Sequence, residues 1–497
     1  MAPVLRLFFD ARYTRTRVHD GISRFSASLV EAVADRADVT MLISDPAQLR
    51  LLPAGVPWLR ISAPTSAAEP WVARQINPHR PDVVFSPMQT MGGWGRRYPL
   101  ILTLHDLIYY EHRTPPRDLP APIRMGWRLY HLSPWPQRLV LDQADAVATV
   151  SETTRGLMRA HRLTRRPIEV IPNAPQPVQR PRDPHVAPVR QLVYMGSFMD
   201  YKNVEGVIRG LRGLPDHTLH LCSPIDDRRR AELVDLAPRE DQLIFHDGIS
   251  ESGYRQLLRE SAALVTLSRA EGYGLPVIEA MAQGTPTVVS DLPIFREIVG
   301  QAGAGHGAQC VDPDHPEAFA AAVRRLHEPG VFAAASRAAR ARSLDFSWED
   351  SADRLVRLAD GLAQRGDDGA IPGTEPPGAV PRRSGDGAET ERPSSRLQRQ
   401  EHGRLQVAQE HQRVDVLPLE PHAPVQASTV AVVASVGVGS QLRDDVAGRH
   451  GVAHGELRRG RLEGAHQTAA VVQGQHLPVD HHTGESHHAV GGGSDVA

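Results

Sequence analysis

The chain has 497 residues, 41% of them hydrophobic and 23% charged, with a formal net charge of −2. That length allows two to three domains with real cores, and the near-neutral balance gives no basis for a nucleic-acid or other polyanionic partner. The longest late apolar run, "STVAVVASVGVG", falls short of the roughly 20 residues that span a bilayer, and no basic-then-apolar leader opens the chain, so the expected protein is soluble.

From residue 1 to about 365, short β-branched runs alternate with helical patterns. Strands are predicted at "VLRLFF", "DVVFS", "LILTL", "DAVATV" and "IEVI", then at "QLVYM", "TLHLC", "QLIFH", "AALVTL" and "PTVVS". Several are apolar on both faces, as in parallel strands covered on each side by helices. Between the first two, "GISRFSASLVEAVADR" sets Ile22, Phe25, Leu29 and Val33 on one stripe at helical spacing. The alternation predicts doubly wound α/β sheets, and ten or more strands favour two such domains over one. A proline-rich segment at residues 173–191 marks the break. The expected organisation is a first domain over 1–185, a second over 186–345, a terminal helix over 346–365 and a tail over 366–497. Cys222 and Cys310 lie in strand-like runs, which predicts buried thiols in a reducing compartment.

The tail holds no Phe, Tyr, Trp, Lys, Met or Cys, yet 11 of the 24 histidines. Such a segment cannot bury enough apolar surface to offset its ordering entropy, so disorder is predicted. Its His pairs at 481–482 and 487–488 could ligate a metal, but no second ligand set stands at a recognisable spacing.

Lys202 is the only lysine in the chain. It follows the strand "QLVYMGS" and opens the helical pattern "NVEGVIRGLRGL". Ligands of open α/β sheets bind at the carboxyl ends of strands, and helix N-termini attract anions, so an ammonium there suits a diphosphate. On this context alone, a lysine in a solvated loop fits equally well. A second cluster follows the strand "AALVTL". Glu271 stands just past the strand end. Gly272 and Gly274 bracket Tyr273 and free the backbone for close approach to a ligand. Pro276 fits the first turn of a helix, and Glu279 falls on its second turn. Two carboxylates so placed can hold two parts of an extended ligand. Either one alone also reads as an acidic residue stabilising a helix N-terminus.

The whole string is more specific than its parts. "DGISRF", "LTLHDLIYY", "ADAVATVSETTRG", "IEVIPNAP", "LVYMGSFMDYKNV", "EGYGLPVIEAMAQGTPTVVS" and "FSWEDSADRLVRLADGL" occur in that order. Together they resemble the retaining family 4 glycosyltransferases, over about residues 5–365. The resemblance implies the GT-B fold, two Rossmann-like parallel-sheet domains facing a cleft. It implies transfer of a hexose, such as mannose or glucose, from a nucleotide-diphosphate sugar to a glycan or lipid-linked acceptor, without a metal or other cofactor. It implies that Lys202 neutralises the donor diphosphate, beside Ser197, and that Glu279 hydrogen-bonds the ribose. Glu271 would touch the donor sugar, with the backbone of Gly272, Tyr273, Gly274 and Leu275 on its hydroxyls. His105 would reach the sugar near the reacting carbon, and Gly21 would let the backbone approach the phosphates. His105, Lys202 and Glu271 are the implied catalytic residues. The implied location is the cytoplasm, either free or peripheral at the inner face of the membrane.

This chain departs from the family pattern at Ser197 and Tyr201, where basic residues are common; Arg209 or an arginine of the first domain would have to compensate. The stretch "PIRMGWRLYHLSPWPQRL", residues 122–139, has two readings: packed first-domain helices, or contact with a membrane or lipid-linked acceptor. Trp348 is expected to anchor the terminal helix. A non-catalytic donor-binding subunit and a sugar-nucleotide epimerase of the same fold are the competing functions.

Overall fold

The computed structural model describes residues 4–16, 20–113, 121–303 and 305–367. Nearly all of the segment expected to be disordered, with its two His pairs, lies outside the described residues.

Two sheets organise the chain. The first contains β1 (Arg6–Asp10), β2 (Asp38–Ile43), β3 (Trp58–Arg60), β4 (Val83–Ser86), β5 (Leu100–Leu104), β6 (Ala146–Thr149) and β7 (Ile168–Val170), in the order β3-β2-β1-β4-β5-β6-β7. The second contains β8 (Val189–Tyr194), β9 (Thr218–Leu221), β10 (Leu243–Phe245), β11 (Ser261–Thr266), β12 (Thr287–Ser290) and β13 (Ala308–Val311), in the order β10-β9-β8-β11-β12-β13. Every pairing is parallel. The ten strands read from sequence are all present. β4, β5, β6 and β12 are buried at every position, which is why they read as unbroken apolar runs. In each sheet the winding reverses once, between β1 and β4 and between β8 and β11, and ligands of such sheets bind outside the strand ends at that point.

The helices are fixed by local chemistry. Asp20 caps the helix Gly21–Ala34 by accepting from the Ser23 amide at 2.9 Å. Phe25, Leu29 and Val33 are buried along its inner stripe, while Ile22 is only half-buried. The helix Trp348–Asp367 packs against Gly21–Ala34 and runs two residues past the expected boundary. Ser351 Oγ donates to the Pro172 carbonyl at 2.7 Å, and Arg36 pairs with Asp353 at 2.5 Å. Trp348 is buried with its ring 6.0 Å from Phe25. One core cluster runs through both halves, from Phe9 and Phe85 to Val193 and Val289, and takes in Trp348, Leu355 and Leu362. Truncating an aromatic such as Phe25 in that core would cost about 3–5 kcal/mol.

Polar contacts also join the halves. The Glu297 carboxylate accepts from the Glu152 amide at 2.7 Å, the Thr153 amide at 2.8 Å and Thr153 Oγ1 at 2.6 Å. It thereby satisfies N–H groups in the first turn of the helix Glu152–Ala160, which its own cap Ser151 cannot reach alone. Cys222 is buried as expected, but Cys310 sits on the edge strand β13 and is only partly covered. Burial pushes the Cys222 thiol up to about 12 and, with help from Asp291, that of Cys310 to about 11.

Candidate active site

β8 and β11 are neighbours, so the segments that leave their carboxyl ends converge although they are far apart in sequence. Lys202 Nζ donates to Glu271 Oε2 at 2.6 Å, and the two side chains are only 15% and 14% exposed. Lys202 does not open the helix, as its sequence context suggested. It closes a single 3-10 turn, Asp200–Lys202, and the α-helix begins at Val204. Asn203 intervenes in the left-handed region with φ 48°, a conformation asparagine tolerates. Its buried amide donates to the Leu267 and Pro313 carbonyls, each at 3.0 Å, which ties the turn to the end of β11.

The first half faces this pair with the segment that follows β5. His105 Nε2 lies 2.7 Å from the Pro87 carbonyl, an acceptor only, so that nitrogen carries the ring proton. The ring meets Phe25 edge-on at 5.2 Å. Burial holds its pKa below the usual histidine value, with the Pro87 contact opposing, so the imidazole is neutral at pH 7. Asp106, the next residue, reaches across to the second half. A Cβ placed on Gly272 would stand 2.9 Å from Asp106 Cβ, so only glycine admits this approach without a shift. Burial raises the Asp106 carboxyl; the Ile108 amide lowers it, Glu271 raises it further and Lys202 lowers it.

Gly274 precedes the helix Leu275–Gln283 with φ +97°, and an added Cβ would come within 2.8 Å of the Phe295 ring. Pro276 occupies the first turn and Glu279 the second. Arg24, from the first half, donates to Glu279 Oε1 at 2.6 Å. Burial lifts the Glu279 carboxyl above its usual range, against the pull of Arg24. A cavity of about 270 Å³ lies here, lined among others by Arg24, Glu251, Arg255, Glu279 and Trp348. Trp348 therefore both anchors its helix and walls this cavity. Gly21 is against the second half as well, since a Cβ there would lie 3.5 Å from Leu275 Cδ1. The Tyr273 side chain is buried and donates to the Asn173 carbonyl at 2.5 Å, leaving its backbone as the part that can meet a ligand. Ser197 is exposed, and its carbonyl accepts from Tyr194 Oη at 2.8 Å.

The structure thus gathers Lys202, Glu271, His105 and Gly272 at one place, and Glu279, Leu275 and Gly21 beside it. Two residues that sequence reasoning did not name belong with them, Asp106 and Arg24. Asp106 was visible as the second letter of "HD", but nothing in the sequence tells that it faces Gly272. Of the departures, Tyr201 stacks on His112 of the first half at 5.7 Å and lies 5.4 Å from Lys202 Nζ. Arg209 is exposed on the helix Val204–Gly210, whereas Arg24 is the first-half arginine that reaches the site.

The profile for glycosyl transferases group 1 matches residues 176–341, and that for a glycosyl transferase 4-like domain matches residues 20–174. The chain belongs to the family 4 glycosyltransferases. Among relatives of this family member, the O-antigen chain mannosyltransferase RfbU of Salmonella typhimurium is 29% identical over 138 residues, 27% of this chain and 37% of that protein. A D-inositol 3-phosphate glycosyltransferase of Mycolicibacterium paratuberculosis is 27% identical over 319 residues, 57% of this chain and 68% of its own. The matches to the first relatives thus span less than half of those proteins' length, 37% and 44%. The GT-B fold is shared with the sucrose-phosphate synthase of Thermosynechococcus elongatus, at a TM-score of 0.59 and 18% identity over 73% of this chain and all of that one. It is also shared with Anabaena HepE, solved with UDP and glucose, at a TM-score of 0.55 and 16% identity over 72% of this chain and 99% of that one. Among the described residues, no helix is long and apolar enough to cross a membrane.

Proposed function

We propose that this glycosyltransferase moves a hexose from a nucleotide-diphosphate sugar to a glycan or lipid-linked acceptor with retention of anomeric configuration. The observation that carries the reading is the Lys202–Glu271 pair at the winding reversal of the second sheet, faced by Asp106, the residue after His105. In the free protein Lys202 is held by a carboxylate. A donor diphosphate, with higher charge, would take the ammonium and release Glu271 toward the sugar. Cleavage of the sugar–diphosphate bond builds negative charge on the leaving oxygen, and a positive group already in place stabilises that charge where it develops. Lys202 supplies it, so this reading needs no metal. Glu279 would hold the ribose through the carboxylate oxygen that Arg24 does not engage, and Gly21 with the backbone of Gly272–Leu275 would close on phosphate and sugar. Neutral His105, with Nε2 committed to Pro87, would present Nδ1 as an acceptor to the sugar. The relatives named as mannosyltransferases favour mannose.

The test is a thermal-shift screen against GDP-, UDP- and ADP-sugars, followed by acceptor-dependent nucleotide release and NMR of the product anomer. A stabilising donor with acceptor-dependent release and retained configuration supports the proposal. An isomerised donor, or binding without turnover against a broad acceptor set, would replace it with the epimerase or the non-catalytic reading. Loss of activity on metal chelation would remove the metal-free clause.

A further inference from the structure

The helices Ala121–Tyr130 and Trp135–Leu141 link β5 to β6, and they are apolar on two opposite faces. The inner face packs as a core should. Trp127 is 1% exposed, with Tyr109 against it at 5.1 Å; His131 meets Tyr110 at 5.3 Å, and Tyr130 Oη donates to Gln137 at 2.9 Å. Tyr109 and Tyr110 lie in the segment that begins with His105 and Asp106, so this hairpin backs directly onto the candidate site. Among the described residues the outer face has no such partner. Met125, Leu129 and Leu132 follow one another at helical spacing and are 57%, 58% and 56% exposed; Trp135 follows at 49%. Leu139 extends the same surface. Large apolar side chains left exposed this close together in the chain are the kind of surface that marks an interaction site.

The charged side chains of the hairpin itself have one sign. Residues 121–139 contain Arg124, Arg128 and Arg138 and no carboxylate. Arg128 is exposed within the apolar stripe. Arg138 donates to the carbonyls of Arg162 at 2.7 Å and His161 at 3.1 Å, which brings the basic segment 159–166 to the end of the hairpin. There Arg159, Arg162 and Arg165 are exposed. Of the carboxylates near its ends, Asp142 accepts from Thr164 and the Arg165 amide and Glu152 pairs with Arg155, while Glu111 is exposed. Apolar side chains with an aromatic among them, rimmed by guanidinium groups, match the boundary layer of an anionic bilayer in both components.

We propose that this face, Met125, Leu129, Leu132, Trp135 and Leu139 with its arginine rim, docks the protein on anionic phospholipid membranes. The further clause that docking carries the cleft to a lipid-anchored acceptor rests on the glycosyl-transfer reading above. The membrane clause does not.

The full chain is sedimented with phosphatidylcholine vesicles with and without phosphatidylglycerol. Binding is expected only to the anionic vesicles, and it should weaken as salt rises. Leu129→Glu with Trp135→Glu should abolish it while melting temperature and nucleotide-sugar binding stay as in the wild type, since both side chains are exposed. Each of Arg128→Gln, Arg159→Gln and Arg165→Gln should lower vesicle affinity roughly five-fold. No vesicle binding, or unchanged binding by the double variant, overturns the proposal. So does a wild-type dimer in solution that the double variant turns into a monomer, because the face would then join two copies. Transfer to an acceptor embedded in vesicles should fall in the double variant, and transfer to a water-soluble acceptor should not. Equal loss on both would overturn the delivery clause alone. Failure of the glycosyl-transfer reading would show instead as no turnover by any variant, with vesicle binding intact.

Discussion

Replacing Lys202 with alanine removes the ammonium that the site presents at the end of β8. Its worth follows from the contact it already makes. Lys202 Nζ reaches a carboxylate oxygen at 2.6 Å with both side chains largely covered. A phosphate oxygen in that place would interact with it by about 4 kcal/mol at 4 Å between charge centres and an effective dielectric of 20. Part of that is lost because the ammonium must first leave Glu271, so about 2–3 kcal/mol remains in the transition state. That corresponds to a fall in kcat/KM of roughly 30- to 160-fold. The assay is nucleotide release under subsaturating donor, with melting temperature as the control for folding. Lys202→Arg should recover only part of the rate, since a planar fork cannot occupy the place of a compact ammonium without moving Tyr201. The alanine variant should also raise the Asp106 carboxyl further, because Lys202 is one of the two groups that lower it. An alanine variant that is folded and turns over like the wild type would refute the diphosphate role.

Three further outcomes are expected. Glu279→Ala should weaken binding of free nucleotide, read by calorimetry, whereas Glu271→Ala should leave that affinity and slow turnover at saturating donor; equal losses of nucleotide affinity would contradict the division of roles. Gly274→Ala should destabilise the fold by about 1–3 kcal/mol in denaturant titrations, because φ +97° is unfavourable for alanine and its Cβ would meet Phe295. Stability should fall on acidification below about pH 6.5. His217 and His220 face His327 and His246 at 2.9 Å, and burial foremost, with the partner ring next, lowers both to about 4. A histidine whose folded pKa is depressed binds its proton only in the unfolded chain between those values, so melting temperature should drop as pH goes from 6.5 toward 4. His220→Gln should flatten that slope, and an unchanged slope would assign the acid sensitivity elsewhere.

Most of the scaffold was legible because parallel strands covered on both faces leave unbroken apolar runs, as in "LILTL" and "TVVS". The strands not read from sequence are β2 and β3, and β13 was read only as the strand-like run that holds Cys310. β3 and β13 are edges, and β3 is a three-residue strand with two exposed positions. Within the site, residues near strand ends were readable from local pattern, which is how Lys202 and Glu271 were found; His105 came from the family resemblance alone. What joins the halves was not. Arg24 and Glu279 are 255 positions apart, and each reads as an ordinary charge on an amphipathic helix. Asp106 owes its role to the missing side chain of Gly272, a steric fact that no one-dimensional pattern carries. The turn at Lys202 was misread as a helix start because Asn203, in the left-handed region, separates two helical segments that look continuous in sequence.

The solitary lysine gives the molecule a built-in reporter. Because no other residue of the chain carries an ε-amine, a reductive or acylating amine reagent has one side-chain target, and it stands in the cleft. In the free state that amine donates to Glu271 and is largely covered by its surroundings, so labelling should be slow. A ligand that takes the ammonium would silence the reaction. Intact-mass spectrometry could then count occupied sites from a single mass increment, and tryptic cleavage at this one lysine would vanish when it is modified. Occupancy of the cleft can thus be followed without an engineered cysteine or an isotope.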